Sequence, residues 1–348
     1  MEIPAMTKIG LSSDLFDTKG RPVFDPAAFD LFTEAGLSWT VLPPDGGTID
    51  PASVADYDAL FIGGSRLTEA SLASDSGVLR VVARNGVGFD AVDLQALTRR
   101  GILLTNTPLA VRHSVATIAL AFILALSLRV PLKSRLAREG RWAERGDFPG
   151  VGLPGRTLGI VGLGGIGREL VRLAQPFGMR VIGADPFVAR DQLSETSVEL
   201  LPLEEVLAQS DFVVIACRLD KTTRHLIDAP RIALMKPTAF IINVARGPII
   251  DEAALIDALR AGALAGAGLD VFEQEPPDRN NPLFSLENVI ATPHSLCWTD
   301  TFLAGVARSA IKSIVDAVEG RLPEHIANRA AIDHPRVKQW LASASAGG

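Results

Sequence analysis

Apolar runs of four to six residues recur along this chain, separated by segments with helical spacing or turn signals. Residues 8–11, 38–42, 59–62, 79–83 and 102–105 read as buried strands. Between them, 26–34, 51–55, 69–74 and 90–99 carry helix or turn signals. A more apolar stretch follows, with a helix expected over about 114–128, and then a polar, glycine-rich loop over 139–155. Strands are expected again at 157–161, 180–184, 211–216, 239–244, 265–269 and 288–291, with helices at 166–177, 251–261 and 299–318. Strand and helix alternating in this way predict parallel sheets covered by helices.

The second run opens on a glycine fingerprint. Gly162, Gly164 and Gly167 form G-x-G-x-x-G between a strand and a helix, and the next strand ends on Asp185. That order is what a dinucleotide-binding βαβ unit needs. Gly162 allows the tight turn, Gly164 lets backbone approach a pyrophosphate, and Gly167 lets the helix pack closely. The helix start at Gly165 and Ile166 offers free N–H groups to phosphate. Asp185 can accept from ribose hydroxyls and repels a 2′-phosphate, which favours NAD over NADP. The fingerprint sits mid-chain, so the dinucleotide fold is expected at 109–299. Residues 1–108 and 300–334 then form a discontinuous substrate domain, and 335–348 read as a C-terminal tail. The fold class is α/β with two doubly wound parallel sheets, a Rossmann domain inserted into a flavodoxin-like one. Ligand is expected at the carboxyl ends of the strands, in the cleft between domains.

Composition narrows the function. The chain has 348 residues, 47% of them hydrophobic, and a net charge of −6. No basic stripe is visible, so no nucleic-acid partner is expected. Cys217 and Cys297 form no C-x-x-C, which argues against a metal site and fits a reducing cytoplasm. The first residues lack the apolar stretch of a signal peptide. Residues 116–130, interrupted by Thr117, Ser127 and Arg129, are read as a buried helix too short to span a membrane.

Three later strands end in polar residues: Asn243-Val-Ala-Arg-Gly247, Asp270-Val-Phe-Glu-Gln-Glu-Pro-Pro277 and Thr292-Pro-His294. An arginine, a glutamate and a histidine converging on a nicotinamide make a complete set for carbonyl reduction. Arg246 can hold a substrate carboxylate and polarise a carbonyl. His294 can move a proton, and a glutamate can orient its imidazole. Spacing alone leaves Glu273 and Glu275 both open for that last role. His113, His225, His325 and His334 fit no constellation and read as helix-end or surface residues. Cys297 reads as pocket lining rather than as a nucleophile, since no base stands in register to activate it.

With Arg84-Asn-Gly-Val-Gly-Phe-Asp90 and Thr105-Asn-Thr-Pro108 added, these motifs cover nearly all of the chain, which resembles the D-isomer-specific 2-hydroxyacid dehydrogenases. The resemblance implies an NAD-dependent oxidoreductase interconverting a D-2-hydroxy acid and its 2-oxo acid, typically a homodimer. It picks Arg246, Glu275 and His294 as catalytic residues. It places Asp270 at the nicotinamide carboxamide and the amides of Val87 and Gly88, beside Asn85 and Gly86, at the substrate carboxylate. Val244, Ala245, Cys217, Arg218 and Thr223 would border the cofactor, and Trp298 the substrate. Arg66, after Gly63-Gly64-Ser65, either pairs with an anionic group of the substrate or is a solvated loop arginine. The chain departs from the family at three places. Ala216-Cys217-Arg218 replaces His-x-Pro, so Arg218 either meets a phosphate or faces solvent. Ser295-Leu-Cys-Trp298 replaces small residues after the histidine and narrows or reshapes the pocket. Thr117 stands where a glutamate is usual. Phosphoglycerate is disfavoured as substrate, since few basic residues line the expected pocket. Two rival readings share the architecture: a formate- or phosphite-type dehydrogenase, and an NAD-sensing corepressor-like binding protein.

Overall fold

The computed structural model describes residues 7–345, apart from 45, 194, 195 and 197. The first six residues, on which the signal-peptide reading rests, and the last three of the expected tail lie outside the described residues. The chain divides into two compact units. One holds the described residues up to Val111 and from Thr299 onward, and the other is Arg112–Trp298.

The described residues form two sheets, all parallel. The first unit carries β1 (Lys8–Leu11), β2 (Ser38–Val41), β3 (Ala59–Ile62), β4 (Val81–Arg84) and β5 (Leu103–Thr105), in the order β2-β1-β3-β4-β5. This is the flavodoxin-like order. β3 is buried along its whole length, as expected of a parallel strand covered on both faces. Its core gathers Leu60, Ile62, Val82 and Leu104.

The second unit carries β6 (Thr157–Val161), β7 (Arg180–Ala184), β8 (Glu199–Leu200), β9 (Phe212–Ile215), β10 (Phe240–Asn243), β11 (Gly266–Leu269) and β12 (Val289–Ala291). Their order, β12-β11-β10-β9-β6-β7-β8, is the doubly wound dinucleotide-binding order with one strand added. Its register is what builds the site. Val161, Ile215, Asn243, Leu269 and Ala291 are successive cross-strand partners in one row. The residues that step off these strands therefore leave from one sheet edge.

The structure adds elements that the sequence reading lacked. Helix Pro108–Ser127 begins six residues earlier than expected and runs for 20 residues. By length and composition alone it could cross a membrane. Its Val115, Ala116, Ala119, Phe122 and Ile123 are buried, and the Phe122 ring fills the space beside Gly268 of β11, which is how the core helix of a globular unit behaves. A second helix, Val130–Arg138, follows at once, entered through Arg129 at φ 56°. The segment read as a tail also differs. Pro335–Ser345 is a helix, with Val337 and Trp340 buried. Arg336 fixes it to the first sheet, donating to the carbonyls of Leu79 and Arg100 and pairing with Asp75 at 3.0 Å.

The Asp75 side chain is only 3% exposed, so removing its cation leaves a buried carboxylate uncompensated. Arg336→Ala is expected to lower unfolding free energy by about 3 kcal/mol, read from urea denaturation. A change within about 0.5 kcal/mol would show the helix to be a passive appendage.

Candidate functional site

The glycine loop leaves β6, whose five residues are all buried. Gly162 has φ 100°, and a Cβ there would stand 2.5 Å from the Cys217 nitrogen, so only glycine fits. A Cβ on Gly167 would stand 2.1 Å from the Gly162 carbonyl oxygen, so helix Gly165–Ala174 presses directly on the loop. Gly164 is different. A Cβ there would meet nothing within 4 Å, so the loop has open space on that side. These are the three conditions set by a pyrophosphate cradle: a tight turn, a close helix, and bare backbone facing outward.

Asp185 at the end of β7 closes the loop from the far side. Its Oδ2 accepts from the Leu163 N–H at 2.8 Å and its Oδ1 from the Phe187 N–H at 2.9 Å. A carboxylate has about four acceptor positions, so capacity for ribose hydroxyls remains. Arg112, absent from the sequence reading, stands beside this loop: its Cβ is 4.0 Å from where a Cβ on Gly165 would be. No motif contains Arg112, which comes near only through the packing of its helix. Beyond β9, Arg218 pairs with Asp220 at 2.9 Å and is largely exposed, and Thr223 donates to the Arg218 carbonyl. The Thr222 hydroxyl, the Thr222 N–H and then Arg218 hold the Asp220 carboxyl down at about 2. Burial pushes the Cys217 thiol up to about 12, with Asp185 and Asp220 adding to it.

At the other strand ends, Asn243 is buried and ties the next turn to itself. Its amide donates to the Arg246 carbonyl at 2.9 Å and its Oδ1 accepts from the Ala245 N–H at 3.1 Å. Val244 is buried, and Arg246 follows in extended conformation. Gly247 then passes so close to the β11 exit that a Cβ would stand 1.8 Å from the Phe272 carbonyl carbon. Asp270 is 3% exposed and accepts from the Thr292 hydroxyl at 2.6 Å and from the N–H groups of Ser295 and Leu296. Burial raises its carboxyl above the usual range, although those hydrogen bonds and His294 pull the other way. Burial and Asp270 hold the neighbouring Cys297 thiol at about 12, far from a nucleophilic thiolate.

His294 has φ 51°, a left-handed conformation that costs a non-glycine residue about 1–3 kcal/mol. Its N–H donates to the Thr292 carbonyl at 3.0 Å, and its ring Nδ1 lies 2.7 Å from Glu275 Oε2. The other Glu275 oxygen accepts from the Phe272 N–H at 3.0 Å. Burial pushes the Glu275 carboxyl up, but His294, the Phe272 N–H and Arg246 together outweigh it, and the net shift is downward. Of the two acids left open by spacing, Glu275 meets His294. Glu273 instead pairs with His225 at 2.6 Å, so His225 is not the isolated surface histidine of the sequence reading. Leu296 and Trp298, in the run after His294, are exposed.

The first unit has its own candidates. Gly86, at φ 94°, accepts and returns hydrogen bonds with Thr107, and Asn106 donates to the Val87 carbonyl, which fixes the loop after β4. Within it, Asn85 Oδ1 is buried without a partner among the described residues. Arg66 is exposed on the loop after β3. That loop is pinned by Asp14, which the sequence reading missed: its Oδ2 accepts from the N–H groups of Gly64 and Ser65.

Residues 120–295 match the model of the D-isomer specific 2-hydroxyacid dehydrogenase, NAD binding domain. The chain belongs to the D-isomer-specific 2-hydroxyacid dehydrogenases. It is 39% identical over 285 residues to a glyoxylate reductase of Pyrococcus furiosus, covering 80% of this chain and 84% of that one. It is 37% identical over 276 residues to the D-3-phosphoglycerate dehydrogenase of Methanocaldococcus jannaschii, covering 79% of this chain but only 52% of the relative. It therefore spans about half the length of that protein. Among solved structures it superimposes on the D-lactate dehydrogenase of Aquifex aeolicus complexed with NAD and lactic acid, with a TM-score of 0.81 at 27% identity, covering 92% of this chain and 99% of that one. The chain thus carries the family's NAD-binding domain on a 2-hydroxyacid dehydrogenase fold.

Gly247→Ala places a methyl group inside backbone that cannot withdraw, as a flexible side-chain tip could. The variant is expected to lose at least about 3 kcal/mol of stability, or to fold with the Arg246 loop displaced and activity lost. A stable, fully active Gly247→Ala protein would show that the two strand exits are not in contact.

Proposed function

We propose that this dehydrogenase reduces a small 2-oxo acid to its D-2-hydroxy acid, and catalyses the reverse, with NAD as cofactor. The observation that carries the proposal is the His294–Glu275 pair at 2.7 Å, on strand ends that share a sheet edge with the glycine loop. An ionised Glu275 carboxylate only accepts, so in this reading Nδ1 of His294 holds the proton between them and Nε2 is the nitrogen that exchanges a proton with the substrate oxygen. Glu275 keeps the ring in that tautomer and orientation and stabilises its charged form. Arg246 binds the substrate carboxylate and steadies negative charge on the reacting oxygen. When bound, the nicotinamide supplies or accepts the hydride. Asp270, fixed by Thr292, is assigned to the carboxamide end of the cofactor. Gly162, Gly164, Gly165, Ile166 and Gly167 are assigned to its pyrophosphate and Asp185 to its ribose. In the first unit, Asn85 to Gly88 are assigned to the substrate carboxylate and Arg66 to a second polar group of the substrate.

The similarity to glyoxylate reductases favours a short substrate such as glyoxylate. A cytoplasmic homodimer is the assembly we propose for it. Size-exclusion chromatography with light scattering tests the dimer, and a monomer at micromolar concentration removes it.

His294→Ala is expected to lower kcat by about 10²–10⁴ while NADH still binds, as followed by its fluorescence. Arg246→Ala is expected to lower kcat/KM by about a hundredfold or more. Near-normal turnover by either variant would overturn the assignment. Asp185→Ala should narrow the preference for NADH over NADPH, since it removes the charge that repels a 2′-phosphate; an unchanged preference would move cofactor selection elsewhere.

A further inference from the structure

His225 makes two connections that the proposed reaction does not use. Its backbone, at φ 50°, donates to the Pro248 carbonyl at 2.8 Å, and Ile227 repeats this with Ile249, so the His225 segment runs alongside the loop that carries Arg246. Its ring Nε2 lies 2.6 Å from Glu273 Oε1, on the segment that carries Glu275. Glu273 is held from other sides as well. Arg224 approaches the same oxygen at 3.4 Å, and Oε2 accepts from the Glu252 N–H at 3.3 Å. Glu252 returns the contact, accepting from the Glu273 N–H at 2.9 Å and from the Asn281 amide at 2.7 Å. Two residues further on, Glu275 meets His294.

The acid segment is thus tied on one side to the helix that begins at Glu252 and on the other, through His225, to the arginine loop. The Gly247–Phe272 approach leaves these two loops no room to slide. We propose that His225, acting through Glu273, is a positioning residue for the reaction: it locks the Glu275 segment to the Arg246 loop and so keeps Glu275 in register with His294. This rests on the reading of His294 and Glu275 as the proton-handling pair. His225 touches neither substrate nor cofactor in this account. Its effect reaches the chemistry only through where Glu275 stands, and displacements of about 1 Å in such groups cost up to a hundredfold in rate.

The test compares wild type with His225→Ala, Glu273→Gln, His225→Gln and His294→Ala, using glyoxylate and NADH. His225→Ala and Glu273→Gln are expected to lower kcat about tenfold or more, with NADH affinity by fluorescence and thermal midpoint little changed. Glu275 faces His294 and Arg246, which with the Phe272 N–H hold its carboxyl down. Loosening it should let that carboxyl rise toward its ordinary value, so the acid limb of the kcat–pH profile moves to higher pH. His225→Gln, whose amide can donate from nearly the Nε2 position, should recover most of kcat and restore the limb. In a His294→Ala background, His225→Ala should add nothing. Wild-type kcat and acid limb in His225→Ala, beside an inactive His294→Ala, would overturn the positioning role alone. A fall in kcat with the acid limb unmoved and NADH affinity lost in parallel would make His225 merely structural. Substantial turnover by His294→Ala would instead overturn the underlying reading of the site.

Discussion

A 2.7 Å contact between His294 Nδ1 and Glu275 Oε2 joins two loops that leave neighbouring strands, β11 and β12. In the proposed reaction it leaves Nε2 as the nitrogen that exchanges a proton with substrate. Very little of it is local. The histidine pays for a left-handed backbone, and the glutamate is 19 residues away in sequence. What brings them together is the register of a parallel sheet, which releases five successive strands at one edge. A slip of one residue in any of those strands would turn its last side chain to the other face. The apolar core under the sheet, with Val213, Ile215, Ile241, Ala267 and Leu269 buried, is therefore what holds these strand ends in place.

Close backbone approach is the second constraint, and glycine is how the sequence meets it. Gly162 and Gly167 bring strand, turn and helix together around the space beside Gly164, while Gly247 brings the arginine loop against the acid segment. The two arrangements differ in purpose. The first leaves bare N–H groups facing outward, where a phosphate can use them. The second leaves nothing open and makes the Arg246 and Glu275 segments one mechanical piece. His225 and Glu273 extend that piece on its outer side.

Strands such as β3, β6, β9 and β10 were legible in the sequence because each is a short apolar run buried along its length, and such runs stand out between polar turns. The glycine fingerprint was legible because its chemistry is written in adjacent residues. Other features were hidden by the same local rules. Helix Val130–Arg138 was not expected, although its Pro131 sits in the first turn, where a missing N–H costs nothing. The small residues after Ala342 suggested a tail, although Val337 and Trp340, three positions apart, are the buried stripe of a helix. The choice between Glu273 and Glu275 could not be made from spacing, because both lie on one segment and their partners, His225 and His294, are 48 and 19 residues away. Only the family resemblance pointed to Glu275, and nothing local pointed to His225.

The tautomers of the two paired histidines test the account most directly. Nitrogen-15 NMR of the labelled protein, recorded where imidazoles are neutral and assigned with His294→Ala and His225→Ala, reads which ring nitrogen holds the proton. His294 pairs with its carboxylate through Nδ1 and His225 through Nε2, so the account predicts Nδ1–H for His294 and Nε2–H for His225. A His294 found as Nε2–H, or exchanging freely between the two forms, would contradict the claim that Glu275 sets the proton-carrying nitrogen.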